Sequence, residues 1–391
     1  MPSCWQNDGL APGQLSKFRP ERVPGPPDAG LPWRKSAIRG KVGKMSKTMR
    51  IMTEKPLNAE TPAESLRSWV TANGVFFDRN QGEIPQAPIQ LDQWRLAIDG
   101  QVERALSFTF EQILRLPKDI VANTLECSGN GRSLLAEKAH GNPWTVGGVG
   151  NAVFGGVWLK DLLEPAGLKP DARHVAFEGL DKPLGASKIK FIRSIPIEKA
   201  LSSTLLAYEM NGEPLPLKHG YPLRALALGW TGANCVKWLN RIRVLDKPFE
   251  GFFMDQVYRV FDKGQDPASG TVVTRLNLKS IITQPLAGEN LPTGRVTVLG
   301  AAYAGVKAVR AVEVSSDNGR SWQPAAFLGP HERFAWRQWQ FVWQASQPGE
   351  YLLMARATDE DGHRQPMEAA WNVLGYGNNG IREHAVKVFI G

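Results

Sequence analysis

A chain of 391 residues, 42% apolar and 22% charged, is long enough for two or three cored domains and has the composition of an ordinary globular protein. Its net charge of +9 sits at one end: residues 1–55 carry eleven Lys and Arg against four Asp and Glu, which leaves about +2 for the rest and argues against a nucleic-acid-binding face. No run approaches the roughly 18 apolar residues of a membrane span, and Cys4, Cys127 and Cys235 make neither a disulfide framework nor a Cys-x-x-Cys metal or haem motif.

Residues 1–55 are rich in Pro, Gly, Lys and Arg without periodicity, so they are expected to be a disordered basic segment. They lack a secretory apolar stretch, which makes the cytoplasm the default location and the periplasm the alternative. Met45, Met49 and Met52 offer later translation starts. Thr61-Pro62-Ala63-Glu64 predicts a helix start with Thr61 as N-cap. Residues 75–82 read as an aromatic strand running into a polar turn, 94–100 as a strand, and 110–116 as a short helix stopped by Pro117.

The apolar, β-branched residues 120–125 predict a buried strand that breaks at Cys127-Ser128-Gly129-Asn130-Gly131-Arg132. Its two glycines let the backbone turn and aim N–H groups at one point. With those amides and Arg132 nearby, the Cys127 thiol is expected to have a lowered pKa, which favours the form that binds metal or attacks an electrophile. A buried structural cysteine at a strand–loop corner fits the same residues. Glycines 141, 147, 148, 150, 155 and 156 imply backbone passing close to a ligand or to itself, but they make no dinucleotide fingerprint. Residues 157–163 read as a helix, 174–180 as a strand, and 205–210 as a helical run ended by the Asn211-Gly212 turn. His219, Arg224 and Lys237 then stand at the rims of strands, where a guanidinium fork and an ammonium can hold an anionic ligand. Taken singly, each is more commonly a surface charge or a satisfied buried histidine.

From about residue 270 the pattern changes. Residues 295–299, 308–314, 334–343 and 351–357 alternate between turn clusters, and Asp317-Asn318-Gly319 is a hairpin signal. Such spacing predicts a second, all-β sandwich domain with Trp322, Trp336, Trp339, Trp343 and Trp371 in its core and a dimer surface.

In this order and spacing, Phe77-Asp78-Arg79-Asn80-Gln81, the Cys127–Arg132 stretch, Phe177-Glu178-Gly179-Leu180-Asp181, Ala207-Tyr208-Glu209-Met210-Asn211-Gly212, His219-Gly220-Tyr221-Pro222-Leu223-Arg224, Val236-Lys237-Trp238-Leu239 and Gly251-Phe252-Phe253-Met254 resemble the sulfite oxidase family of molybdenum enzymes. The resemblance runs from about Phe76 to the C-terminus. It implies an α+β fold: a mixed α+β molybdopterin-binding catalytic domain (56–268), then an all-β immunoglobulin-like domain (269–391) used for homodimerisation. It also implies a molybdenum–molybdopterin cofactor with Cys127 as metal ligand, and a soft thiolate suits such a metal. Phe77, Asp78, Arg79, Asn80, Gln81, Asp181, His219, Arg224, Cys235, Val236 and Lys237 fall on positions that bind the pterin and its phosphate.

Arg79, Arg132, Trp144 and Phe191 fall on the family's substrate pocket. Phe191 stands where the family has a tyrosine, Leu374 where it has an arginine, Gln81 where it has a histidine, and Gly131 where it has a basic residue. The activity implied is two-electron oxygen-atom transfer, sulfite to sulfate. No cytochrome b5-like haem segment is visible, so electrons are expected to leave to a separate acceptor such as a cytochrome c or oxygen. The departures keep open a molybdopterin enzyme acting on a sulfane sulfur compound or an S- or N-oxide. Two other classes are a β-sandwich interaction protein that has lost catalysis and a cysteine-nucleophile hydrolase, although no histidine base is evident beside Cys127.

Overall fold

In the computed structural model, which describes residues 48–391, strands far outnumber helices. The expectation for residues 1–47 lies outside the described residues. Residues 50–54, placed above in the disordered segment, are instead a strand: Arg50–Glu54 pairs antiparallel with Leu57–Glu60. The second strand of this hairpin is largely buried, and Ala59 exchanges backbone hydrogen bonds with Asp78 at 2.9 Å each way. Tertiary pairing therefore orders a stretch whose local composition argues for coil.

Two sheets build the first half. One runs Glu213–Pro214, Thr204–Met210, Val149–Trp158, Asp119–Glu126, with Arg224–Ala227 also on Thr204–Met210. The other runs Leu106–Thr109, Arg95–Gly100, Leu239–Leu245, His174–Gly179, Ile192–Pro196, and only its Arg95–Gly100/Leu239–Leu245 pair is parallel. A shared core that includes Phe154, Phe177, Leu206, Leu226 and Ile242, all fully buried, fills the space between and around them. Short helices cap the connections. Phe110–Leu114 is started by a full Thr109/Gln112 capping box, and Ile197–Ser203 leads directly into a strand.

The second half has one sheet of Lys279–Gln284, Gly294–Tyr303, Arg337–Ala345 and Ala326–Leu328. The other is Asn290–Leu291, Val386–Ile390, Gly349–Asp359, Val309–Ser315 and Gln323–Pro324. Val298, Trp339 and Phe341 from the first meet Val312, Leu353, Ala357 and Val388 from the second in one apolar core.

Several local expectations differ from the structure. Thr61 is not an N-cap; its hydroxyl donates to the Val149 carbonyl at 3.2 Å, and the 3-10 turn Ala63–Arg67 starts without a side-chain cap. Residues 75–81 form turns rather than a strand, and only Asp78 bridges to the hairpin through paired backbone hydrogen bonds. Val157 and Trp158 end the long strand Val149–Trp158, and only Leu159–Leu163 is helical. Residues 205–210 are a strand, not a helix. The run Thr204–Met210 is buried almost throughout, so its apolar residues show no period that separates strand from helix.

The two halves are clasped together. The indoles of Trp69 and Trp336 each donate to the other's backbone carbonyl, at 3.2 and 3.0 Å, and the Trp336 N–H donates to Thr124 Oγ1 at 2.7 Å. Trp336 thus belongs to the junction between the halves, while Trp339 and Trp343 lie in the sandwich core.

Candidate active site

The strand Asp119–Glu126 delivers Cys127 to the lining of a cleft. Its lining includes the sequence-predicted Phe77, Arg79, Asn80, Gln81, Cys127, Asp181, Phe191, His219, Arg224, Cys235 and Lys237. Residues far apart in sequence therefore converge as the resemblance implies. Asp78, Arg132, Trp144 and Val236 do not line the cleft. Trp144 is fully buried, with its ring edge-on to Phe77 at 6.1 Å, and Val236 is packed into the core.

The Cys127 turn is tightly specified. Asn130 and Arg132 N–H groups donate to the Cys127 and Gly129 carbonyls at 2.9 and 3.1 Å, and the Cys127 N–H donates to Gly148 O at 2.8 Å. A Cβ on Gly129 would sit 2.3 Å from Arg132 Nη2, and one on Gly141 2.8 Å from Nη1, so both glycines make room for that guanidinium. Arg132 is pinned by the Leu374 carbonyl (2.8 Å to Nε) and the Asn142 carbonyl (2.7 Å to Nη1). Leu374 thus contributes through its backbone, although its side chain lacks the family's charge.

Contrary to expectation, the Cys127 thiol pKa is raised. Burial outweighs the combined pull of Arg79, Arg132 and the Gly129 amide. Those same groups are what would stabilise a thiolate held by a metal. The guanidinium of Arg79 lies within electrostatic reach of the Cys127 thiol and is anchored on Asn58 Oδ1 at 3.2 Å and on the Asn80 carbonyl. Asn58 also receives the Asn80 N–H at 2.9 Å. The N-terminal hairpin therefore positions Arg79, a role the sequence does not reveal.

At the far end the cleft is cationic. Arg224 is buried, donates only to the His219 and Cys235 carbonyls (2.9 and 3.4 Å), and leaves Nε without a partner; burial lowers its pKa to about 10. Lys237 reaches the Asn80 side chain and the Lys218 carbonyl, and burial brings its pKa down to about 7. Asp78 is engaged by Lys218 at 3.0 Å. His219 is held neutral by burial and the neighbouring lysines, with Nε2 3.1 Å from the Asn73 carbonyl. Asp181 is raised to about 6 by burial. A buried guanidinium with an idle donor beside an ammonium fits a phosphate, and a thiol at the other end fits a soft metal. The residues present suit a molybdenum–pterin phosphate, with Arg224 and Lys237 at the phosphate end and Cys127 at the metal.

Sequence reasoning missed Tyr258, Lys218, Ser128 and Trp238. Tyr258 follows the quoted Gly251–Met254 stretch by four residues but carries no motif of its own, and Lys218 stands beside His219.

Comparison with known proteins agrees with this geometry. Residues 81–253 match the oxidoreductase molybdopterin binding domain, and residues 271–389 match the Mo-co oxidoreductase dimerisation domain. Together these make the chain a molybdenum-dependent oxidoreductase carrying molybdopterin. Sulfite oxidase of Gallus gallus is 34% identical over 93% of this chain and 82% of its own length. Mitochondrial sulfite oxidase of Rattus norvegicus is 34% identical over 97% of this chain and 72% of its own. The sulfane dehydrogenase SoxCD of Paracoccus pantotrophus superposes with a TM-score of 0.77 at 28% identity, covering 98% of this chain and all of that one. The chain belongs to the sulfite oxidase family. Among the described residues no helix is long and apolar enough to cross a membrane.

Proposed function

We propose that this enzyme oxidises sulfite to sulfate and passes the two electrons to a separate acceptor, such as a cytochrome c or oxygen. The observation that carries the reading is the buried Cys127 thiol flanked by two fixed guanidiniums, Arg79 and Arg132, both within electrostatic reach of it. When bound, the molybdenum centre supplies two-electron chemistry with transfer of an oxygen atom. The chain supplies the rest. Cys127 gives up its proton and serves as ligand. Arg79, on the cleft lining, docks the anion, and Arg132 behind the lining adds its charge where water screens little. Phe76, Phe77 and Phe191 keep water out, and Arg224 with Lys237 anchors the phosphate end so that the reacting centre is held in place. The second half forms an immunoglobulin-like sandwich, with the boundary near residue 268, and pairs two copies as a homodimer.

Molybdenum analysis of the purified enzyme, followed by sulfite-dependent reduction of ferricyanide and cytochrome c, tests the reading. Near-stoichiometric metal with sulfite turnover is expected; metal without sulfite turnover removes sulfite as substrate. The second reading, a sulfane sulfur substrate, is favoured by the match to the sulfane dehydrogenase over the whole chain and by the phenyl ring at Phe191. Turnover of a protein-bound persulfide in place of sulfite would select it.

A further inference from the structure

Glu126 stands immediately before the cysteine that holds the metal, and its side chain is buried. Its Oε1 accepts three hydrogen bonds, from Lys279 Nζ at 2.5 Å, the Tyr303 hydroxyl at 2.8 Å and Asn130 Nδ2 at 3.0 Å. Lys279 and Tyr303 come from the paired strands Lys279–Gln284 and Gly294–Tyr303, where they stand directly opposite each other. Opposed residues put their side chains on one face, so the second half presents an ammonium and a phenol to the same oxygen. Both are buried as well. The chain of bonds continues to the thiol residue. Asn130 Oδ1 accepts the Gly148 N–H at 2.9 Å, and the Gly148 carbonyl accepts the Cys127 N–H at 2.8 Å. The Asn130 N–H then returns to the Cys127 carbonyl at 2.9 Å. Glu126 thus holds Asn130, and Asn130 holds the Cys127 carbonyl directly and the Cys127 N–H through Gly148.

A buried ion pair adds little stability over apolar packing, so its presence here asks for another reason. Three donors on one oxygen leave the carboxylate a single orientation. Glu126 also lies within electrostatic reach of the Cys127 sulfur, where an uncompensated negative charge would oppose a sulfur bound as thiolate. The Lys279 ammonium cancels that charge. We propose that Lys279 and Tyr303 are positioning residues for the metal ligand: they fix Glu126, and through it the Cys127 turn, and Lys279 keeps the neighbouring carboxylate from repelling the bound sulfur. This rests on Cys127 as the ligand and holds whichever sulfur compound is oxidised.

The test is the paramagnetic resonance signal of half-reduced molybdenum in the holoenzyme, whose g values report the metal–sulfur geometry, together with molybdenum per chain. Tyr303→Phe keeps the ring and removes one donor, so it should fold and load as wild type does while its g values shift. Lys279→Met leaves Glu126 uncompensated. It should shift them further and lose molybdenum about tenfold faster on dialysis, the usual scale for a group that orients a metal ligand. Glu126→Gln/Lys279→Met removes both charges and keeps an amide oxygen for Tyr303 and Asn130, so retention should return toward wild type. Trp339→Phe is the structural control. Its indole is buried and donates to Ser280 Oγ at 3.0 Å, in the strand that carries Lys279, so it should lower stability and leave the signal unmoved. Wild-type g values in both Tyr303→Phe and Lys279→Met overturn the assignment, as does an equal shift in Trp339→Phe. If Lys279→Met fails to fold, Tyr303→Phe and the double variant decide, and wild-type signals in both overturn it. Wild-type enzyme without molybdenum overturns the ligand reading and this assignment together. Molybdenum without sulfite turnover removes sulfite alone, and the signal still decides the role of Lys279.

Discussion

Arg132 shows how finely single residues are set in this site. Its guanidinium fills space that exists only because residues 129 and 141 have no side chain, and two backbone carbonyls hold it there. Replacing it in Arg132→Gln removes a docking charge from the anion pocket, so KM for an anionic substrate should rise roughly tenfold to a hundredfold with a smaller change in kcat. Steady-state kinetics with sulfite decide it, and an unmoved KM makes Arg132 structural. Gly129→Ala tests the same position without changing charge. The added methyl must push the guanidinium off its carbonyls, so KM should rise in the same direction by a smaller factor. Cys127, Arg79, Arg132, Arg224 and Lys237 were legible through the order and spacing of the motifs that carry the family resemblance, since each taken singly is more commonly a surface charge or a buried structural residue. The sign of the Cys127 shift was not, since it depends on how much water the fold removes. Tyr258 was not legible either, because a lone tyrosine after an aromatic run looks like core.

Among elements, the contact that matters most is where the strand Asp119–Glu126 meets the β-rich second half. Glu126, next to the thiol, is buried and accepts hydrogen bonds from Lys279 (2.5 Å), Tyr303 (2.8 Å) and Asn130 (3.0 Å). Lys279 is 1% exposed, so neither charge can turn to water. Removing one partner leaves a buried charge unpaired, whereas removing both leaves an apolar contact. Lys279→Met should therefore cost about 3–5 kcal/mol of stability, and the double variant Glu126→Gln/Lys279→Met should recover much of it. Urea unfolding of the four proteins closes the cycle; additive losses would show that the pair is not coupled. Elements of this kind were partly legible. Alternating strands in the second half follow from their period, and the helix Phe110–Leu114 lies within residues 110–116, read as a helix stopped by Pro117. Thr204–Met210 was misread because a strand covered on both faces has no alternation to detect, and Arg50–Glu54 was misread because its partner, not its composition, makes it a strand.

Over the whole molecule, the division into two halves was legible from the change of periodicity near residue 270, but their interlocking was not. The second half reaches back chiefly through backbone groups, the Leu374 carbonyl to Arg132 and the Gly377 N–H to Ser128 O at 2.9 Å, with the Asn378 side chain donating from Nδ2 to Gly131 O at 2.7 Å. Carbonyl and amide contacts place few demands on residue type and leave no trace in a sequence. His384 is a titratable group at this seam. It is buried, its Nδ1–H donates to the Gly380 carbonyl at 2.8 Å, and among the described residues its Nε2 has no partner. Burial, reinforced by the nearby Lys279 charge, lowers its pKa to about 3 from an ordinary 6.5. Above pH 6.5 both folded and unfolded forms are neutral and His384 adds no pH dependence. Between 6.5 and about 3 the unfolded chain takes a proton that the folded one refuses, so stability must fall with acid. His174 and His219, lowered by burial, act in the same sense, while Asp78 and Asp181, raised by burial, act in the opposite one, so the absolute slope mixes them all. The difference between wild type and His384→Gln isolates the histidine. Urea midpoints measured from pH 7.5 down to about 4.5 should drop less steeply in the variant, by close to one proton's worth of slope below pH 6. Parallel profiles would mean that His384 already shares its proton with the folded seam, and that the two halves loosen in acid for another reason.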